Sequence, residues 1–143
     1  MPGKKNILLV EDNPADRFLV HQLFEDLDIQ YTLHAVTDGL EALQFLRKEG
    51  IYNSAPDPDL VMLDLNLPKL NGKDVLKEIK MNENWKKIPV LVLSTSDDKG
   101  DIIDSYKMHA NSYIVKPAEY DRYLDIMKNI RDYWFGATQL PPE

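Results

Sequence analysis

The stretch "LVMLDLNLPKLNG" (60–72) places an aspartate, Asp64, directly after four apolar residues and four positions before a proline, Pro68. An unbroken apolar run this short, closed by turn-forming residues, suits a strand covered on both faces. A carboxylate at its end costs free energy unless something compensates for it. Runs of the same kind recur at 7–10 (ILLV), 90–93 (VLVL) and 113–115 (YIV). The segment 31–36 (YTLHAV) differs, because Thr32 and His34 fall on one side of it, and it suits the edge of a sheet.

Apolar spacing of three and four fills the intervals. It covers 14–27, opened by Asn13 and Pro14, then 39–49 behind Asp38, 73–81 after Gly72, 98–108 and 119–135. A strand followed by a helix, five times over, predicts a parallel sheet with right-handed crossovers and helices on both faces. The expected fold is α/β, a flavodoxin-like (βα)5 doubly wound parallel five-stranded sheet.

Composition sets the context. The 143 residues suit one domain, 1–143, with a core over about 6–135 and a short tail over 136–143. Seventeen basic against twenty-four acidic residues leave a net charge of −7, which argues against a grip on phosphate backbones, so no nucleic acid is expected as partner. No stretch approaches the roughly 20 apolar residues of a membrane span, and "MPGKK" leads into only four apolar residues, too few for a signal peptide. With no cysteine, a disulfide framework and a thiolate metal site are both excluded. A cytoplasmic protein without membrane contact is expected.

In a doubly wound sheet the functional crevice lies at the carboxyl ends of the strands. Here those ends carry Glu11 and Asp12, then Asp64, then Ser94 and Thr95, then Lys116 and Pro117. Taken singly, each has a plain reading: an aspartate caps turns and helices, a lysine is a surface charge, a serine satisfies a strand end. Jointly they place three carboxylates, a hydroxyl and an ammonium at one end of the sheet. Carboxylates gathered this way repel unless a cation or proton intervenes, and an all-oxygen set without histidine or cysteine suits Mg²⁺.

With these motifs assembled, the chain resembles the receiver domains of two-component response regulators over residues 6 to about 130. "ILLVEDNPADR" is similar to the family's first strand and acidic pair, and "VMLDLNLPKLNG" to its phosphoacceptor strand and loop. "PVLVLSTS" and "ANSYIVKP" are similar to its hydroxyl and lysine strands. The resemblance implies strand order 2-1-3-4-5. It implies a signalling protein rather than an enzyme, one that catalyses only its own phosphorylation and dephosphorylation. Asp64 would accept a phosphoryl group from the phosphohistidine of a sensor histidine kinase. Glu11, Asp12 and Asp64, with the backbone carbonyl of Asn66, would hold Mg²⁺, and Lys116 would contact the phosphoryl oxygens. Ser94 and Tyr113 would form the switch, although Tyr113 reads equally as a half-buried strand aromatic.

The sequence also departs from the family's pattern: Glu11 stands where an aspartate is frequent, Thr95 where a small residue is, His109 where glycine is, and Ala118 where a bulky aromatic is. After the lysine strand only helix five and a short tail remain, so a single-domain regulator is expected, resembling those paired with phytochrome-like sensor kinases. A haloacid-dehalogenase-type phosphatase is the enzymatic alternative, but it needs a second aspartate two positions on, where Asn66 stands. A flavodoxin-like cofactor binder needs glycine in the first loop, where "EDNPAD" has none. A degenerate receiver acting only by contact is the third alternative.

Two surfaces complete the reading. Asn13, Asp16 and Val20, on one face of the first helix, are expected to dock the kinase. On the last helix Tyr120, Tyr123, Leu124, Met127, Ile130 and Trp134 form a stripe facing the sheet. At about 100° per residue, Tyr133 and Phe135 cannot both follow Trp134 inward. Ile126, Ile130, Tyr133 and Phe135 are therefore expected at a homodimer interface, the alternative being that the tail folds back over the aromatics.

Overall fold

A computed structural model describes residues 5–142. Five strands alternate with five helices: β1 Lys5–Val10, α1 Pro14–Asp26, β2 Tyr31–Val36, α2 Gly39–Arg47, β3 Leu60–Leu63, α3 Gly72–Met81, β4 Val90–Ser94, α4 Lys99–Lys107, β5 Ser112–Val115 and α5 Tyr120–Asp132. Short polar side chains start four of the helices. Asn13 Oδ1 accepts from the Ala15 and Asp16 amides, ahead of Pro14 in the first turn. Asp38 accepts from Glu41 N, Asn71 from Asp74 N and Asp98 from Asp101 N. Each such cap satisfies amides that the first helical turn leaves without partners.

All strand pairs are parallel, in the order β2-β1-β3-β4-β5, so β2 is indeed an edge and β5 is the other. Alternation along the central strands splits the core in two. Leu8, Val10, Val61, Leu63, Val90 and Val92 meet α2 and α3 through residues such as Phe45, Leu46, Leu76 and Ile79. Ile7, Leu9, Leu60, Met62, Leu91 and Leu93 meet α1 and α5 through Val20, Leu23, Tyr123, Met127 and Ile130. Covering both faces requires strands that are apolar throughout, which is why the runs at 7–10, 60–63 and 90–93 show no polar alternation.

Two expectations need correction here. The last helix does not run regularly to residue 135: after Asp132 the chain widens into a π-helical turn, Tyr133–Ala137, closed by Thr138 N donating to Tyr133 O at 2.8 Å. That turn breaks the 100° phase on which the interface stripe rested. Phe135 swings inward, stacking on Tyr31 with ring centroids 4.1 Å apart and meeting Phe24 edge-on at 6.5 Å. Ile130 is only 4% exposed, Ile126 is half-buried against the same core, and Tyr133 alone of the four stays well exposed, at 55%. The tail does return over this region: Leu140 packs against the α1/α5 core, and Lys87 Nζ donates to the carbonyl of Pro142. Second, Val20 is buried, so it belongs to the core rather than to a docking face of α1.

Candidate functional site

The sheet's own hydrogen bonding positions the site. Beyond the last paired residues, Glu11 N donates to Val36 O at 3.0 Å, Asp64 N to Val10 O at 3.0 Å and Lys116 N to Ser94 O at 2.7 Å. Each chemically important residue is thus the first one past a strand, its amide still held by the neighbouring strand while its side chain is free to enter the crevice. Gly72 brings the following loop close. A Cβ there would stand 2.3 Å from Asp64 O and 2.4 Å from Leu65 Cα, so only glycine lets α3 start against the end of β3.

Glu11, Asp12 and Asp64 can each offer a carboxylate oxygen within 4.8 Å of the others. Glu11 and Asp64 are buried and Asp12 faces solvent. Into this cluster reaches Lys116, its side chain only 7% exposed. Its ammonium donates to Glu11 Oε1 and lies 3.3 Å from Asp16 Oδ2 and 3.5 Å from Asp64 Oδ2. Asp64 Oδ1 accepts from Asn66 N at 3.2 Å. Both oxygens of Asp64 therefore face donors, and the free-energy cost of its burial is offset by Lys116 and a backbone amide within the chain itself. One ammonium cannot neutralise four carboxylates. Burial pushes the Glu11 carboxyl up to about 7, against the opposing pull of Lys116, because it is the most enclosed of the four. Burial alone would lower Lys116, but the Glu11 hydrogen bond and the surrounding acids outweigh it and hold the ammonium above the ordinary lysine value.

From Ser94 a second network leads away toward α4. The Ser94 hydroxyl, fully buried, accepts from Ser96 N at 3.1 Å. Ser96 in turn accepts the Tyr113 hydroxyl on its carbonyl at 2.9 Å and donates its own hydroxyl to Asp101 at 2.6 Å. Tyr113, half-buried against the α2/α3 core, therefore ties β5 to the β4–α4 loop. Thr95 between them is exposed.

Comparison with known proteins agrees with this geometry. Residues 7–128 match the response regulator receiver domain family. The response regulator Rcp1 of Synechocystis sp. is 42% identical over 137 residues, covering 96% of this chain and 93% of its own length. Two solved structures superpose closely. The Mn²⁺-bound form of Rcp1 gives a TM-score of 0.91 at 42% identity over 96% of this chain and 99% of that one. The phosphorylated cyanobacterial phytochrome response regulator RcpA gives 0.93 at 44% identity, over 98% and 100% of the two chains. The chain belongs to the response regulator receiver domain family.

Within this receiver, two contributors escaped the motif reading. Asp16 was assigned to a docking face, yet its carboxylate is the third acid around Lys116. Arg17 ends the run "ILLVEDNPADR" without being given a role there, yet its guanidinium donates to the carbonyls of Glu11 and Asp12, both at 2.8 Å, and fixes the loop that presents the acidic pair. The sequence signals for both are their place at the end of that run and in the first turn of a helix that starts at the site.

Proposed function

We propose that this receiver takes a phosphoryl group onto Asp64 from the phosphohistidine of a sensor histidine kinase and relays the change to its α4–β5–α5 surface. The observation that carries the reading is the convergence of Glu11, Asp12 and Asp64 oxygens within 4.8 Å, beside a buried lysine. An Asp64 oxygen attacks phosphorus as the P–N bond of the phosphohistidine breaks, and the imidazole leaves with the bonding pair. Lys116 follows the phosphoryl oxygens, exchanging a carboxylate partner for a phosphate. The donor set, carboxylates alone with the Asn66 carbonyl as a further oxygen, fits Mg²⁺. When bound there by Glu11, Asp12, Asp64 and Asn66, the ion supplies charge neutralisation on the transferring group.

The hydroxyl of Ser94 then has a new acceptor in the phosphoryl oxygens, and turning toward it gives up the Ser96 amide. Since Ser96 also holds Tyr113 and Asp101, the local exchange is passed to β5 and α4, a charge event biasing a two-state element. Kinase docking falls to the outward face of α1, where Phe18 is 71% exposed. The receiver acts as a cytoplasmic shuttle or relay with a phytochrome-like kinase as its donor, a reading supported by the likeness to the cyanobacterial phytochrome response regulator RcpA. Phosphotransfer from an isolated kinase carrying labelled phosphohistidine tests this reading: label should move to the wild type and not to Asp64→Asn, and transfer to both variants alike would refute it.

A further inference from the structure

α3 turns Lys73, Lys77 and Lys80, at spacings of four and three, along one face. At the start of its seam with α4 the charges match: Lys73 Nζ is 2.7 Å from Asp101 Oδ1 and 3.2 Å from Asp104 Oδ2. At the far end they do not. There a cleft of about 250 Å³ is walled by Lys77, Lys80, Met81, Lys107, Met108 and His109, with no carboxylate among them. Lys80 is held by the carbonyls of Ile88 at 2.7 Å and Lys86 at 3.1 Å, whereas Lys77 and Lys107 have no ion-pair partner among the described residues. One cation near each helix C-terminus answers the helix dipole. That accounts for Lys80 and Lys107, but not for Lys77, for His109, or for a Met81 that is 72% exposed. In a chain of net charge −7 this is a local inversion of sign.

We propose that the cleft docks an acidic peptide segment of a partner protein, with one apolar side chain laid on Met81 and Met108 and its carboxylates on Lys77 and Lys107. Charge complementarity selects an acidic partner, and methionines give an adaptable apolar floor. The volume lies below the roughly 300–1,000 Å³ of small-molecule clefts and accommodates one side chain. Nucleic acid and anionic membrane are disfavoured by the charge of the rest of the molecule. The helices run opposite to the strands, so this cleft, at the C-terminal ends of α3 and α4, lies at the amino ends of the strands, opposite Asp64 at their carboxyl ends, and a partner seated here leaves the phosphorylation site open.

The test is an amide-shift titration of the ¹⁵N-labelled full chain at low salt, with a short synthetic peptide of glutamates around one central leucine. Shifts should concentrate at residues 77–81 and 107–109, and Lys77→Glu should weaken binding about tenfold, the loss of an exposed charge contact plus new repulsion. A peptide with serine for the leucine should bind more weakly. Shifts that are absent, scattered or unchanged in the variant overturn the proposal, and equal binding of the serine peptide overturns the apolar anchor. Thermal unfolding of Lys77→Glu alone should occur no lower than in the parent; a clear fall would make the lysine structural and also count against the proposal.

Discussion

At the scale of single residues, Lys116 is the positive charge on which Glu11, Asp16 and Asp64 converge, and removing it leaves buried carboxylates facing one another. Taking one partner from a buried ion pair costs on the order of 3 kcal/mol. Lys116→Ala should therefore unfold roughly 6–12 °C lower without metal, and Mg²⁺ should recover more of the loss than it adds to the parent; equal metal stabilisation in both would contradict this. Glu11 adds a pH signature. With its folded value raised to about 7 by burial, its contribution to stability is present below its ordinary value of 4.5 and fades as pH rises through about 7. A cation needs the deprotonated carboxylate, so Mg²⁺ binding should release a proton at pH 6 and none at pH 8.5, measurable by calorimetry in buffers of different ionisation enthalpy. Proton release independent of pH would refute the assignment. Glu11, Asp64 and Lys116 were legible in the sequence because each follows a strand directly, and Ser94 because it ends one, and a parallel ladder places such residues together whatever the loops do. Asp16 and Arg17 were not, since their reach depends on how α1 is tilted, which spacing does not encode.

At the scale of elements, two backbone positions govern how the crevice is built. Gly72→Ala would drive a methyl into the Asp64 carbonyl, an atom of fixed backbone, and should cost roughly 1–3 kcal/mol while slowing phosphorylation. Unchanged unfolding and labelling would show that α3 can move aside. His109 has φ of +72°, the left-handed conformation expected from its place in the turn into β5. Histidine tolerates that region poorly and glycine freely, so His109→Gly should stabilise by about 0.5–1 kcal/mol, read by chemical denaturation, and a loss of stability would count against strain there. Four helices begin where Asn13, Asp38, Asn71 and Asp98 cap them. Asn13 and Asp38 are legible at the helix starts in sequence, whereas spacing alone starts α3 one residue late, at 73, and α4 one early, at 98. Which way a helix face points is not local. Spacing put Val20 beside Asn13 and Asp16, but packing buries it and leaves Phe18 outside. Likewise, the π-helical turn after Asp132 has no period that a 100° projection would detect, and Phe135 was misplaced as a result.

At the scale of the whole molecule, the tail and Phe135 use up much of the apolar surface once assigned to a partner. Tyr133, Val115 and Tyr106 remain exposed, and a groove along β5 and α5 is lined by Tyr113, Val115, Ile126, Tyr133 and Trp134. β5 is also an open edge of the sheet, which favours covering by a second chain. A homodimer through this face is expected in sedimentation at micromolar concentration, and Tyr133→Glu should dissociate it; a monomeric wild type, phosphorylated or not, defeats the idea. The five parallel strands and the two-sided core follow from apolar runs that neither tail nor dimer disturbs, and the strand order from the family resemblance, which is why the fold was readable when the surface was not. In the function proposed above, the crevice serves one event, the covalent change at Asp64. Intact-mass measurement after incubation with acetyl phosphate and Mg²⁺ tests it most directly: the wild type should gain a single phosphoryl group, mapped to Asp64 and lost on chelation or in Asp64→Asn, whereas an unmodified wild type under conditions that label another receiver would contradict it.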